Sequence, residues 1–283
     1  MLKTPTPTSP RANGRIQLTY QQRGKTTQPI QTYSQAPYKL QRPFYPQGTE
    51  ICYTTILHTA GGIVGGDQLS QSIQLQPNTQ VVITTAAASK IYRSNGLTAH
   101  QETEITVGAD ASLEYLPREM IVFENAQYRQ HLRVNLAPTA TWLGWEIVRF
   151  GRSARGEQFK QGDWRSGTEV WQDGQLIWVD RPWLPGGKDV WDSPHGLAGC
   201  PLVATLVWMG KPIPSELITQ VRQLAQSTLS AGETGATQLM SGLLCRYRGN
   251  SRAEVINWFI NVWRLLRQWE GRISPVTPRV WQV

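Results

Sequence analysis

Between Gly14 and about Gly187 the chain runs in short stretches that alternate apolar with polar residues and are closed by Gly, Pro or Asn. A period of two, reset by turn residues every few positions, belongs to β-strands and not to βαβ units. Three of the turns echo one another. Leu75-Gln76-Pro77-Asn78-Thr79-Gln80-Val81, Val107-Gly108-Ala109-Asp110-Ala111-Ser112-Leu113 and Leu136-Ala137-Pro138-Thr139-Ala140-Thr141-Trp142 each pass from an apolar residue through a turn into the next apolar run. They recur at roughly 30-residue intervals, the range in which stacked repeats are expected. A β-solenoid-like stack of strands, whose successive turns pile up over one shared core, fits this pattern. A plain β-sandwich with regular hairpins fits it equally.

The last third changes period. Leu217, Ile218, Val221, Leu224, Ala225 and Leu229 fall on one helical stripe, with Gly232 as a stop. Ser251-Arg252-Ala253-Glu254 reads as a capping box, and Val255, Trp258, Phe259, Val262, Leu265, Leu266 and Trp269 follow at helical spacing up to Gly271. The expected class is therefore α+β and β-dominated, with helices near 215–230 and 252–270 packed on the strands. Residues 1–13, rich in Pro and Thr and almost without apolar side chains, are expected to be a disordered tail. The rest, 14–283, is expected to be one domain.

Within the β-rich part, His58-Thr59-Ala60-Gly61-Gly62-Ile63-Val64-Gly65-Gly66-Asp67 joins two strand-like runs through two glycine pairs. A phosphate loop would end in Gly-Lys-Ser/Thr at a helix start, whereas this one ends in a carboxylate before a strand. The expectation is a structured turn that places Asp67, and with it His58, in a polar interior or at an interface. Gly61, Gly62, Gly65 and Gly66 serve as the structural loop.

A formal net charge of +8 suggests acidic partners. The 28 Lys and Arg residues are scattered, without the stripe or arginine-rich run of a nucleic-acid-binding module. No apolar run is long enough to span a membrane and no secretory leader is visible, so a cytoplasmic protein is expected. Cys52, Cys200 and Cys245 lie far apart and suit reduced, packed thiols. Twelve tryptophans fit core packing or interfaces.

No nucleophile elbow and no helical histidine pair is present, which leaves carboxylates as the candidate chemistry. Asp67, Glu119, Glu146, Glu157, Glu169 and Asp180 stand out. A β-rich carbohydrate-active enzyme would need two of them facing each other.

The order and spacing of several motifs resemble the urease accessory protein D family (UreD, also called UreH). They are Ala60-Gly61-Gly62-Ile63-Val64-Gly65-Gly66-Asp67, then Thr84-Thr85-Ala86-Ala87-Ala88-Ser89-Lys90-Ile91-Tyr92-Arg93-Ser94, then Leu113-Glu114-Tyr115-Leu116-Pro117-Arg118-Glu119-Met120-Ile121-Val122-Phe123. Gly151-Arg152, Gly156-Glu157-Gln158-Phe159 and Pro278-Arg279-Val280-Trp281 continue the match. Ala60 stands where the family commonly has proline, and Glu146 where it often has aspartate. The resemblance implies a non-enzymatic scaffold of stacked strands and two helices, a chaperone that binds apo-urease and the accessory proteins F and G during assembly of the nickel metallocentre. It also implies a passage for Ni²⁺ with no tightly bound cofactor. Passage calls for weakly holding oxygen ligands, and Asp67, Glu119 and Glu157 are the candidate transit acids.

Overall fold

The protein is described by a computed structural model covering residues 12–281. Residues 1–11 of the expected tail lie outside the described residues, and Asn13 already belongs to the first strand. The chain opens with β1 (Asn13–Arg23), β2 (Thr26–Gln35) and β3 (Tyr38–Leu40). It then winds through β4 (Ile51–His58), β5 (Gln68–Leu75), β6 (Gln80–Thr85), β7 (Ser89–Ile91), β8 (Ala99–Val107) and β9 (Ser112–Leu116). The winding continues through β10 (Met120–Val122), β11 (Ala126–Leu136), β12 (Thr141–Phe150) and β13 (Gly162–Gln172). Beyond it come β14 (Gln175–Asp180), β15 (Trp183–Pro185), α1 (Lys188–Asp192), β16 (Leu202–Met209), α2 (Ser215–Thr228), β17 (Glu233–Leu239), β18 (Gly242–Gly249) and α3 (Arg252–Trp269).

Successive long strands alternate between two sheets. β1, β5, β8, β11 and β13 pair in parallel in the first, and β4, β6, β9 and β12 pair in parallel in the second. Each parallel crossover thus runs through the opposite sheet instead of through a helix, which makes a solenoid and not a sandwich of hairpins. The three echoed turns stack on one another. Asn78 N–H donates to Ala109 O at 2.9 Å, and Asp110 N–H donates to Thr139 Oγ1 at 2.9 Å. Asn78 and Asp110 hold φ of 64° and 57°, a left-handed conformation that short polar side chains tolerate.

The second sheet is buried on both faces. Its inner face carries Val81, Ile83, Leu113 and Trp142 against Ile73, Ile105 and Val134 of the first sheet. Its outer face carries Val82, Leu143 and Ile147 against Leu217 and Val221 of α2 and Val255, Phe259 and Val262 of α3. Both helices fall where their periodicity places them, although α2 ends at Thr228, short of Gly232. Half of the capping box forms: Ser251 Oγ accepts from Glu254 N–H at 3.3 Å. The Glu254 carboxylate instead takes the Ser230 hydroxyl, and Ser251 N–H donates to the Tyr247 hydroxyl. Three strands of the last third, β16 to β18, extend the second sheet where only helices were expected, and α1 is a further short helix.

The helical layer is fastened by a buried ion pair. Arg267 of α3, 1% exposed, grips both carboxylate oxygens of Glu114 on β9 at 2.5 Å, and Arg272 approaches the same carboxylate at 3.2 Å. Burial alone would raise the Glu114 carboxyl, but the two guanidinium groups outweigh it and hold it below the usual range. Of the twelve tryptophans only Trp183 is exposed, so their main role is packing. The three cysteines are free, with Cys52 and Cys245 buried.

Candidate functional site

The inward positions of the first sheet divide into two zones. At the turn-stack end they are apolar, with Ile73, Ile105, Val134 and Val170 side by side. Toward the other end the same inward phase carries Gln71 and Thr103, then Gln101, Gln130 and Ser166. A polar seam therefore crosses four coils inside the solenoid. Its groups bind one another: Gln71 Nε2 donates to the Tyr38 hydroxyl at 3.0 Å, and the Tyr115 hydroxyl donates to Gln71 Oε1 at 3.2 Å. The Tyr128 hydroxyl reaches Gln101 Oε1 at 3.2 Å and Gln130 Oε1 at 3.3 Å, and Gln130 Nε2 donates to Ser166 Oγ at 2.9 Å.

Glu146 of β12 closes this chain. Gln130 Nε2 donates to its carboxylate, and Ser166 Oγ donates at 3.2 Å. Burial pushes the Glu146 carboxyl up to about 7, against the bonds from Ser166 and Gln130 that favour its charge. Tyr38, Gln71, Gln101, Tyr115, Gln130 and Glu146 of this network line a lumen of about 470 Å³. Glu146 is the only carboxylate among its described lining residues, and it also lines a second cavity of about 490 Å³ beside Arg246, His195 and Trp183. His58 ends β4 on the lumen wall, in edge contact with Tyr38 and with its Nε2 lacking a hydrogen-bond partner. Burial lowers the imidazole below its ordinary 6.5, overcoming the pull of Asp67 in the opposite direction. Beside the cationic Lys90 and Arg118, the wall thus offers phenols, amides, one carboxylate and the imidazoles of His58 and His131, a weak donor set for a divalent cation.

Of the acids singled out in the sequence Glu146 lies in this seam, whereas the candidate transit acids Asp67, Glu119 and Glu157 do not line the lumen. Asp67 is 3% exposed; its Oδ1 accepts from Ala12 N–H and its Oδ2 from Val64 N–H, each at 3.0 Å. The glycine pairs that hold it work in two ways. Gly62 and Gly65 allow close approaches, since an added Cβ would lie 2.8 Å from Lys90 O and 2.6 Å from Leu97 O respectively. Gly61 and Gly66 hold φ of 73° and 94°. Glu119 sits between Arg252 at 2.8 Å and Arg118 at 3.7 Å. Glu157 accepts from Glu124 N–H at 2.8 Å and pairs with Arg152. Burial acts to raise its carboxyl, but Arg152 and that N–H prevail and hold it below the usual range. Among the described residues no three His, Cys, Asp or Glu side chains converge as a metal cluster. The seam was open to discovery in the sequence, because Gln71, Gln101 and Gln130 occupy the apolar phase of their alternating strands.

The fold is thus a two-sheet solenoid with a polar internal cavity, one carboxylate among that cavity's described lining residues, and a helical outer layer. Asp180, a candidate acid whose charge acts on Glu146, is itself paired with Arg246 at 2.9 Å. The family model described as UreD urease accessory protein matches residues 12–282. The chain is 56% identical over 270 residues to the urease accessory protein UreD of a Nostoc species, covering 95% of this chain and 96% of that one. It is 55% identical over 271 residues to that of Nostoc punctiforme, with 96% of each chain covered. To that of Thermosynechococcus vestitus it is 47% identical over 269 residues, covering 95% of this chain and 97% of the relative. The chain belongs to the UreD urease accessory protein family, a family of accessory proteins and not of catalysts. No helix among the described residues is long and apolar enough to cross a membrane.

Proposed function

We propose that this protein serves urease maturation in the cytoplasm as a chaperone-like scaffold joining apo-urease to the accessory proteins F and G, and that Ni²⁺ passes through its polar lumen. The observation that carries this reading is the seam of inward-facing polar groups from Tyr38 and Gln71 to Glu146 and Ser166, in a place where a purely structural core would be apolar. Ni²⁺ travels as cargo, held weakly in turn by Glu146, His58 and the lumen's neutral oxygens, with no resident metal cofactor. A thiolate path would trap the ion. Asp67, Glu119 and Glu157 are already engaged by backbone N–H groups or arginines, so their part in this scheme is structural. Neither a nucleic acid nor a membrane has a role in this scheme.

The test is urease activation, with the nickel content of the product, measured beside a pull-down of the accessory complex. Glu146→Ala and His58→Ala are expected to lower nickel loading with assembly intact. Loading unchanged in both variants, with assembly preserved, would send the metal by another route.

A further inference from the structure

At the edge of the lumen, which Arg118 helps to line, three arginines gather around a single acid. Arg118 precedes Glu119 in the segment between β9 and β10, Arg149 lies on the outer face near the end of β12, and Arg252 is the first residue of α3. Glu119 contacts Arg252 at 2.8 Å and Arg118 at 3.7 Å, and Arg149 Nη1 donates to Ser153 Oγ at 2.9 Å. Three guanidinium groups against one carboxylate leave an excess of two positive charges. The contacts are poorly aligned: Arg118 Nε, Arg252 Nε and Glu119 Oε2 are buried without a hydrogen-bond partner. Arg118 Nη1 donates to Val280 O at 3.1 Å, but among the described residues Glu119 alone supplies carboxylate oxygens to the cluster and cannot align with each guanidinium, which leaves donors able to take a further acceptor. Access is graded, since the Arg118 side chain is 10% exposed and forms the floor, while that of Arg252, 35% exposed, forms the rim. Arg252 also stands at the positive end of an 18-residue helix, where a cation is disfavoured and an anion is welcome. Burial and the charge of Arg252 both lower the proton affinity of Arg118, as expected of like charges held together.

We propose that Arg118, Arg149 and Arg252 form a receptor for a carboxylate presented by an acidic segment of a protein partner. Paired planar guanidinium forks match the two oxygens of a carboxylate, and the formal net charge of +8 steers acidic proteins toward this chain. The proposal rests on the scaffold reading for the partner's being a protein; although Arg118 also lines the lumen, it does not require that metal pass there.

The test uses the full chain and a fluorescent hexaglutamate peptide, with binding read by anisotropy at low and moderate salt. Arg252→Gln is expected to weaken binding by about tenfold or more. Arg155→Gln, an exposed arginine outside the cluster, should leave binding within about twofold. Glu146→Ala should bind the peptide as the parent chain does, so the failure of one reading leaves the other standing. Circular dichroism confirms the fold of each variant, and Arg252→Lys, which keeps the charge but loses the fork, should fall between parent and Gln variant. Equal losses in Arg155→Gln and Arg252→Gln would reduce the effect to net charge and overturn the proposal. So would absence of peptide binding, or displacement of the peptide by an equal concentration of inorganic phosphate, which would assign the site to a free anion.

Discussion

Replacing Glu146 with Gln should make the protein more stable at alkaline pH while impairing it. Burial moves this carboxyl from an ordinary 4.5 to about 7. At about 1.4 kcal/mol per pH unit, carrying the charge at pH 8 costs the folded state up to about 3 kcal/mol relative to the unfolded chain. The lumen admits water to one side of the carboxylate, so this figure is an upper bound. Because the folded value lies above the unfolded one, the neutral carboxyl leaves stability intact below about pH 4.5, and stability declines as the pH rises through about 7. Gln keeps the shape and the partners Ser166 and Gln130 without the charge. Urea unfolding at pH 4 and pH 8 should therefore show nearly equal stabilities for parent and Glu146→Gln at the lower pH and an advantage of roughly 1–3 kcal/mol for the variant at the higher one. A gap that does not change with pH would mean that the carboxylate is fully solvated and would refute the reasoning.

Removing one partner of the Glu114–Arg267 pair strands a buried charge, so Arg267→Met should cost about 3–5 kcal/mol, and Glu114→Gln with Arg267→Met together should cost less, by urea unfolding. Glu114 is held below its usual range, so the stability it lends is present above about pH 4.5 and lost as the pH falls further, which an acid-unfolding series checks. Gly65→Ala brings a methyl to 2.6 Å from Leu97 O and from Ser94 Oγ and should cost about 1–3 kcal/mol in thermal unfolding. A variant lacking Cys52, Cys200 and Cys245 should still support urease activation. Burial pushes the Cys52 thiol up to about 11 and raises that of Cys245 as well, so neither offers a thiolate at neutral pH.

Much of the fold is written in local periodicity. The alternation and the three echoed turns carry the solenoid, because each coil needs an inward apolar phase and a turn that stacks on the last. The α3 stripe is equally plain, since Val255, Phe259 and Val262 must face one sheet. Strand β16, Leu-Val-Ala-Thr-Leu-Val-Trp-Met at residues 202–209, is almost continuously apolar because both its faces are covered, and such a run has no period to betray it. The glycine loop was legible because paired glycines and the Val64 N–H bond to Asp67 are local features, although Asp67 also takes Ala12 N–H and the loop packs on Lys90 and Leu97. The lumen was harder to see. Glu146 looks like any strand carboxylate until the register sets it opposite Gln130 and Ser166, which are distant in sequence.

The most direct test of an internal nickel path is to block it. Thr103 is 5% exposed and faces the lumen from β8, so Thr103→Phe fills the space at an overpacking cost of about 1–3 kcal/mol. Nickel per urease active site is then measured by mass spectrometry after activation, on complexes whose assembly has been verified by pull-down. A polar lumen that conducts the metal predicts urease that assembles with its accessory proteins but carries little nickel. Full nickel loading by an assembled Thr103→Phe complex would contradict it.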